Sequence, residues 1–191
     1  WNHNPDDANW SVTENPGYYR IKNGKVAGNI WFARNSLTQR TVGPNFTSET
    51  CVLTENMKPG DYAGLAAISA HYGMVGVFNR YVFQGCNSDT NSGAKAKKED
   101  KIKENAVSEE KIEGNAPVYL KIEYAFNTGK TRADRANFFY SLDGENWKSI
   151  GETFSLGFDT STTFMGTRSW LVNYATKEAG GYVDFDYYKV K

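Results

Sequence analysis

Residues 136–151 read Ala-Asn-Phe-Phe-Tyr-Ser-Leu-Asp-Gly-Glu-Asn-Trp-Lys-Ser-Ile-Gly, with Asp143-Gly144 between two short runs of mixed apolar and polar residues. Asp-Gly in that setting is a strong hairpin signal, because glycine accepts the positive φ that a tight turn demands. The reading is two strands, 137–142 and 146–150, with Phe139 and Trp147 large enough to anchor a core on one side of the ribbon. A lone hairpin is marginal in water, so the rest of the chain must supply more sheet.

Val118, Leu120, Ile122 and Tyr124 alternate with Tyr119, Lys121 and Glu123, the period-two pattern of a half-buried strand. The same alternation closes the chain, with Val183, Phe185 and Tyr187 set against Asp184, Asp186 and Tyr188. Further strand patterns fall at 18–21, 29–33, 49–53, 74–83 and 169–173, punctuated by Pro16-Gly17, Asn23-Gly24, Pro59-Gly60 and Tyr72-Gly73. Residues 61–70, rich in alanine, compete as a helix but are short and bracketed by turns, so they read as a buried strand. Twelve Tyr, 11 Phe and 5 Trp fit that bias. Ten or more short strands with no βα alternation predict an all-β fold, an antiparallel two-sheet β-sandwich, built as one domain over residues 1–191.

Two stretches stand apart. Trp1 to Trp10 is a polar loop, Asn2, His3, Asn4, Pro5, Asp6 and Asp7 among its residues, tethered at both ends by indoles. Residues 85–114 form an excursion dense in Lys and Glu, read either as a mobile loop or as weakly paired edge strands whose charges blunt the edge. Lys plus Arg equals Asp plus Glu at 22 each, so no global field draws in nucleic acid or an anionic membrane. No apolar run approaches the roughly 20 residues of a membrane span. The chain opens on Trp1 and reads as a trimmed module or a mature product, expected to be a monomer. Cys51 and Cys86 either pair or stay free.

Catalytic patterns are sparse. There are two histidines, His3 and His71, no Gly-x-Ser-x-Gly elbow and no Cys/His spacing for zinc. A glycoside hydrolase needs two carboxylates roughly 5 to 10 Å apart; Asp184 and Asp186 share a strand face at about 7 Å, yet sit at the end of the chain. The expectation is a chain that is not itself an enzyme. Asp184 and Asp186 read either as strand charge paired with a Lys or Arg, or as part of an oxygen-rich Ca²⁺ site shared with N-terminal carbonyls. Aromatic residues are the stronger functional signal, since sugar sites combine a ring platform with a hydrogen-bonding fringe. The candidate carbohydrate-binding set is Tyr72, Tyr140 and Trp170 as stacking rings, with Asn2, His3, Asn4, Arg34 and Gln39 as fringe.

Several ordered strings are specific. Trp-Asn-His-Asn-Pro-Asp (1–6), Pro-Gly-Tyr-Tyr-Arg-Ile (16–21), Ala-Arg-Asn-Ser-Leu-Thr-Gln-Arg-Thr (33–41), Asp-Tyr-Ala-Gly-Leu (61–65), Phe-Tyr-Ser-Leu-Asp-Gly (139–144), Asn-Tyr-Ala-Thr-Lys (173–177) and Gly-Gly-Tyr-Val-Asp-Phe-Asp-Tyr (180–187) follow one another. Together they resemble the C-terminal sandwich of family 43 glycoside hydrolases, the β-xylosidase and arabinofuranosidase group, also classed as carbohydrate-binding module family 91. The resemblance implies a concanavalin-like jelly roll beside a propeller catalytic domain in a secreted, extracellular enzyme. It further implies binding of xylan or a related plant cell-wall hemicellulose, or, alternatively, docking that shapes the active site of the linked catalytic domain. In some relatives a loop carries a Phe toward the catalytic pocket. The matching residues here are 166–170, where Ser169 departs from a Gly-Tyr-Arg-Phe pattern. The Asp184/Asp186 end also resembles a place where relatives hold calcium.

Overall fold

The computed structural model describes residues 5–87, 93–127, 134–158 and 165–191. They form two antiparallel sheets. The larger, of eight strands, runs in the order β1 (Trp10–Ser11), β2 (Tyr19–Lys22), β14 (Tyr182–Val190), β4 (Asn45–Leu53), β9 (Val118–Ala125), β10 (Arg135–Ser141) and β11 (Lys148–Ser149), with β12 (Phe154–Ser155) also on β10. The smaller, of six, runs β3 (Leu37–Arg40), β13 (Arg168–Ala175), β5 (Asp61–Ile68), β6 (Tyr72–Phe78), β7 (Tyr81–Cys86) and β8 (Lys103–Lys111). The expected sandwich is what forms.

Between the sheets lies the main core. β9 contributes the predicted Val118, Leu120, Ile122 and Tyr124, and the smaller sheet contributes Ala63, Leu65, Val75, Val77, Val82 and Leu171. The other face of the smaller sheet is buried as well. Tyr62, Ile68, Tyr72, Met74, Phe83, Trp170, Val172 and Tyr174 form a second core with Ile30, Trp31 and Ile102. This double burial explains why β5 is apolar on both faces instead of alternating, as strands covered on two sides do. Where β5 and β6 pair, Gly64 lies opposite Gly76. A Cβ on Gly64, whose φ is +154, would sit 2.3 Å from the Val75 carbonyl oxygen, so any side chain there breaks the ladder.

Three local readings are corrected. Residues 29–33 are not a strand: Ile30–Phe32 is a 3-10 turn, capped by the Asn29 side chain accepting from the Trp31 N–H at 3.0 Å. That turn lays Ile30 and Trp31 over the smaller sheet. Residues 74–83 are parts of two strands, β6 and β7, joined through Asn79 and Arg80 in the left-handed region (φ 48 and 67). The turn lacks the glycine that usually marks one; Arg80 holds it by donating to the Ile112 and Gly114 carbonyls. The hairpin at 136–151 forms with the opposite face inward: Phe138 and Tyr140 enter the core while Phe139 and Trp147 face outward. There they flank the Lys121 ammonium at 4.8 and 4.6 Å, a cation–π arrangement.

The 85–114 excursion contains β8, an edge strand on β7, which is the edge-strand alternative of the expectation. Ahead of it, residues 93–102 cross the 27–33 turn: Asn29 Nδ2 donates to the Lys97 carbonyl at 2.6 Å, and Ile102 is buried. Cys51 and Cys86 are not joined to one another by a disulfide.

Candidate functional site

The predicted stacking rings are core residues. Tyr72 is 0 % exposed, Trp170 1 % and Tyr140 7 %. Tyr72 and Trp170 do come together, but with Trp31 edge-on to both at 5.9 and 6.3 Å in the second core. Tyr140 belongs to the main core. For Tyr72 and Trp170 the physical reason is that the 27–33 and 93–102 segments close the outer face of the smaller sheet, and Tyr140 points between the sheets. No ring of the set offers a platform.

The predicted fringe is dispersed. Asn2, His3 and Asn4 lie outside the described residues. Gln39 is exposed on the edge strand β3, and Arg34 is exposed on the turn before it. Arg34 lines a crevice with Asp6, Asn9, Asn23, Asn35 and Asn173, whose free volume of about 20 Å³ suits a single water rather than a sugar. These amides are committed to one another. The Asp6 N–H donates to Asn35 Oδ1 at 2.8 Å, Asn35 Nδ2 to the Asn9 carbonyl at 3.0 Å, and Asn9 Nδ2 to Asp6 Oδ2 at 2.9 Å. Deeper in, Asn23 Nδ2 donates to Asn173 Oδ1 at 3.2 Å, and Asn173 Nδ2 to the Ile21 carbonyl at 2.8 Å. Asp6, Asn35 and Asn173, from three of the strings that carry the resemblance, thus line one polar crevice.

Asp184 and Asp186 do not form a pair. Asp184 is 5 % exposed and takes both Arg20 Nε and Nη2 at 2.7 Å, with Asn15 Nδ2 at 2.9 Å. Arg20 in turn lies 4.2 Å over the Tyr182 ring, and its guanidinium is held charged by the carboxylate it grips. Of the two readings for Asp184, this geometry is the ion pair. A β-bulge between Phe185 and Tyr187 leaves Asp186 exposed and turns Tyr188, not Tyr187, to the core. With its carboxylate already occupied by a guanidinium, Asp184 does not fit a calcium cage. Among the described residues no three His, Cys, Asp or Glu side chains gather as metal ligands. The same facts deny this strand the free carboxylate pair that glycoside hydrolysis requires.

Asp61 opens the 61–65 string. It is 1 % exposed, accepts the Lys58 N–H at 2.8 Å, and burial raises its carboxyl above the ordinary value against that bond. The folded protein therefore keeps this proton to a higher pH than the unfolded chain, and stability falls as pH climbs through that window. Asp61→Asn keeps an acceptor for Lys58 without the buried charge. Thermal scans should show it melting higher than the parent near neutral pH, with the gain gone below the ordinary carboxylate pKa of about 4. A gain that persists in acid would rule out the charge as its origin.

What sequence reasoning missed is at the rim. Val42 and Phe158 are 65 % and 59 % exposed. They stand at the end of the sandwich where the Thr41 N–H donates to the Thr167 carbonyl, Phe126 N–H to that of Pro44, and Ala70 N–H to that of Gly157. A second feature is a hollow of about 330 Å³ at the sandwich edge, walled by Tyr18, Tyr19 and Tyr188. The paired tyrosines at 18–19 and 187–188 are its only trace in the sequence.

Two antiparallel sheets with the main core between them make a concanavalin-like sandwich. Comparison with known proteins agrees: residues 1–191 match the β-xylosidase C-terminal concanavalin A-like domain, and the chain belongs to that family. It is 30 % identical to a β-xylosidase of Formosa agariphila over 98 % of its own length, but spans only 32 % of that protein. Among solved structures, a bifunctional GH43-CE protein of Bacteroides eggerthii superposes with a TM-score of 0.85 at 37 % identity, over 100 % of this chain and 23 % of that one. A GH43 glycoside hydrolase engineered for endo-xylanase and exo-arabinofuranosidase activity gives 0.84 at 25 % identity, over 100 % and 37 %.

Proposed function

We propose that this chain is a non-catalytic accessory domain that docks on a family 43 catalytic domain of the same polypeptide, in a secreted enzyme acting on xylan-type polysaccharide. The observation that carries the reading is the apolar end: Val42 and Phe158 stand uncovered beside loops already knitted together, while the aromatic sheet face is sealed. Exposed bulky apolar groups at one end of a sandwich favour a protein contact over a sugar contact. The 166–170 segment leads into β13 at that same end.

Affinity electrophoresis of the chain through gels holding xylan, arabinoxylan or xyloglucan should show no retardation. In parallel, the Formosa agariphila enzyme stripped of its matched domain should melt higher when this chain is added. Retardation by xylan that disappears in Trp147→Ala would replace docking with sugar binding on the outer face, where Phe139 and Trp147 are half-buried.

A further inference from the structure

The larger sheet is incomplete along one edge. β2 pairs with β14 only as far as Tyr19 opposite Phe185. β14 continues to Val190 with β4 on its other side, from Tyr187 opposite Cys51 to Val190 opposite Ser48. From Asp186 onward, the side of β14 that β2 occupies earlier has no strand partner among the described residues. Lys191 and Thr47 exchange both backbone hydrogen bonds. The alternation of an antiparallel ladder then turns the N–H and C=O groups of Tyr188 and Val190 to the bare side.

The tyrosine-walled hollow lies along this same stretch. Tyr18, Tyr19, Leu37 and Tyr188 surround it, Leu171 and Phe185 line it from the core, and Val12, 54 % exposed, stands at its rim. The β-bulge at Asp186 creates the place, since it swings Tyr188 to the core side and so aims the side chains beside the open edge. One ligand must therefore answer two demands. It must offer backbone-like donors and acceptors at strand spacing, and an apolar group at an alternate position. A neutral sugar meets neither well; an extended peptide meets both. A bare edge beside an apolar hollow is also a liability that proteins normally cover.

We propose that the Asp186–Val190 edge of β14 takes up an extended segment of the linked catalytic part of the enzyme as an added strand, with an apolar side chain seated in the hollow. This rests on reading the chain as a docking domain, and it names a place and mode of attachment distinct from the Val42/Phe158 end. Most of the Formosa agariphila relative lies outside the matched part, so in such a protein polypeptide is at hand to fill the edge.

The probe is a synthetic acetyl-Thr-Val-Thr-Leu-Thr-Val-Thr-amide, added to the isotope-labelled 191-residue chain and followed by amide spectra and hydrogen exchange. The peptide should shift and protect the Tyr188 and Val190 amides. Methylation of alternate peptide nitrogens should abolish this, as strand addition requires. Leu37→Arg, which fills the hollow, and Val12→Asp, at the exposed rim, should each weaken binding about tenfold or more, the scale of losing one apolar anchor. Silence at 186–190, equal binding of the methylated peptide, or the same protection by xylohexaose would each overturn the proposal. If the chain stabilises the stripped enzyme while the edge stays silent, docking stands and strand addition fails; if neither responds, both fail.

Discussion

Trp170→Ala should unfold or nearly unfold the domain rather than weaken a binding site. The indole is 1 % exposed on β13, packed edge-on against Trp31. Truncating a buried tryptophan costs about 3–5 kcal/mol through lost transfer energy and the cavity left behind, a large share of the roughly 5–15 kcal/mol that holds a domain together. Trp31 would lose one of its two ring neighbours, so the 27–33 cover should loosen with it. Urea titration followed by far-UV dichroism reads the loss as a lower midpoint, and Trp170→Phe should recover part of it. A parent-like midpoint in the alanine variant would mean the second core contributes little.

The second large effect concerns charge. Asp184→Ala removes the acceptor that grips Arg20 through two nitrogens at 2.7 Å, and leaves the half-buried Arg20 and Asn15 without it. Breaking a buried pair from one side costs about 3–5 kcal/mol, because the surviving cation, itself half-buried, loses its main counter-charge. Glu14, which meets Arg20 Nη1 at 3.1 Å from an exposed position, compensates in part. The loss therefore belongs at the lower end of that range. The double variant Arg20→Met/Asp184→Leu, removing both charges, should lie well above Asp184→Ala in denaturant midpoint. If the two coincide, the interaction is not ionic in origin.

Strands with one wet face were legible from the chain alone. β9 shows its alternation without interruption, and β14 does so until Asp186, where a single inserted residue reverses the faces of everything after it. No local pattern announces a bulge, so Tyr187 and Tyr188 are assigned to the wrong sides by periodicity. The hairpin at Asp143-Gly144 was legible as a turn, but its faces were not, because aromatic residues at 138, 139 and 140 offer a core-sized ring whichever way the ribbon rolls. Residues 29–33 mislead for a related reason: Ile-Trp-Phe is a strand by propensity, and the Asn29 cap with the Phe32 and Ala33 backbone bonds makes it a turn. The three candidate stacking rings are misplaced at the same step. A ring that stacks on sugar and a ring that fills a core have identical sequence signatures, and what separates Tyr72 from a ligand is a cover 40 residues away in the chain. Of the strings that carry the family resemblance, 1–6 and 33–41 are bonded through Asp6 and Asn35, and 173–177 and 16–21 through Asn173 and the Ile21 carbonyl, so these four report the frame of the domain.

The charged stretch before β8 has the composition of a disposable spacer, and anyone trimming the domain would cut there first. Its tenth residue from Gly93, Ile102, is a stopper in the floor of Trp170, Tyr72 and Phe83. Shortening this segment would uncork a broad aromatic surface on a protein of zero formal net charge, and such molecules stick to one another. The stretch that looks most expendable is thus what keeps the domain dispersed in water.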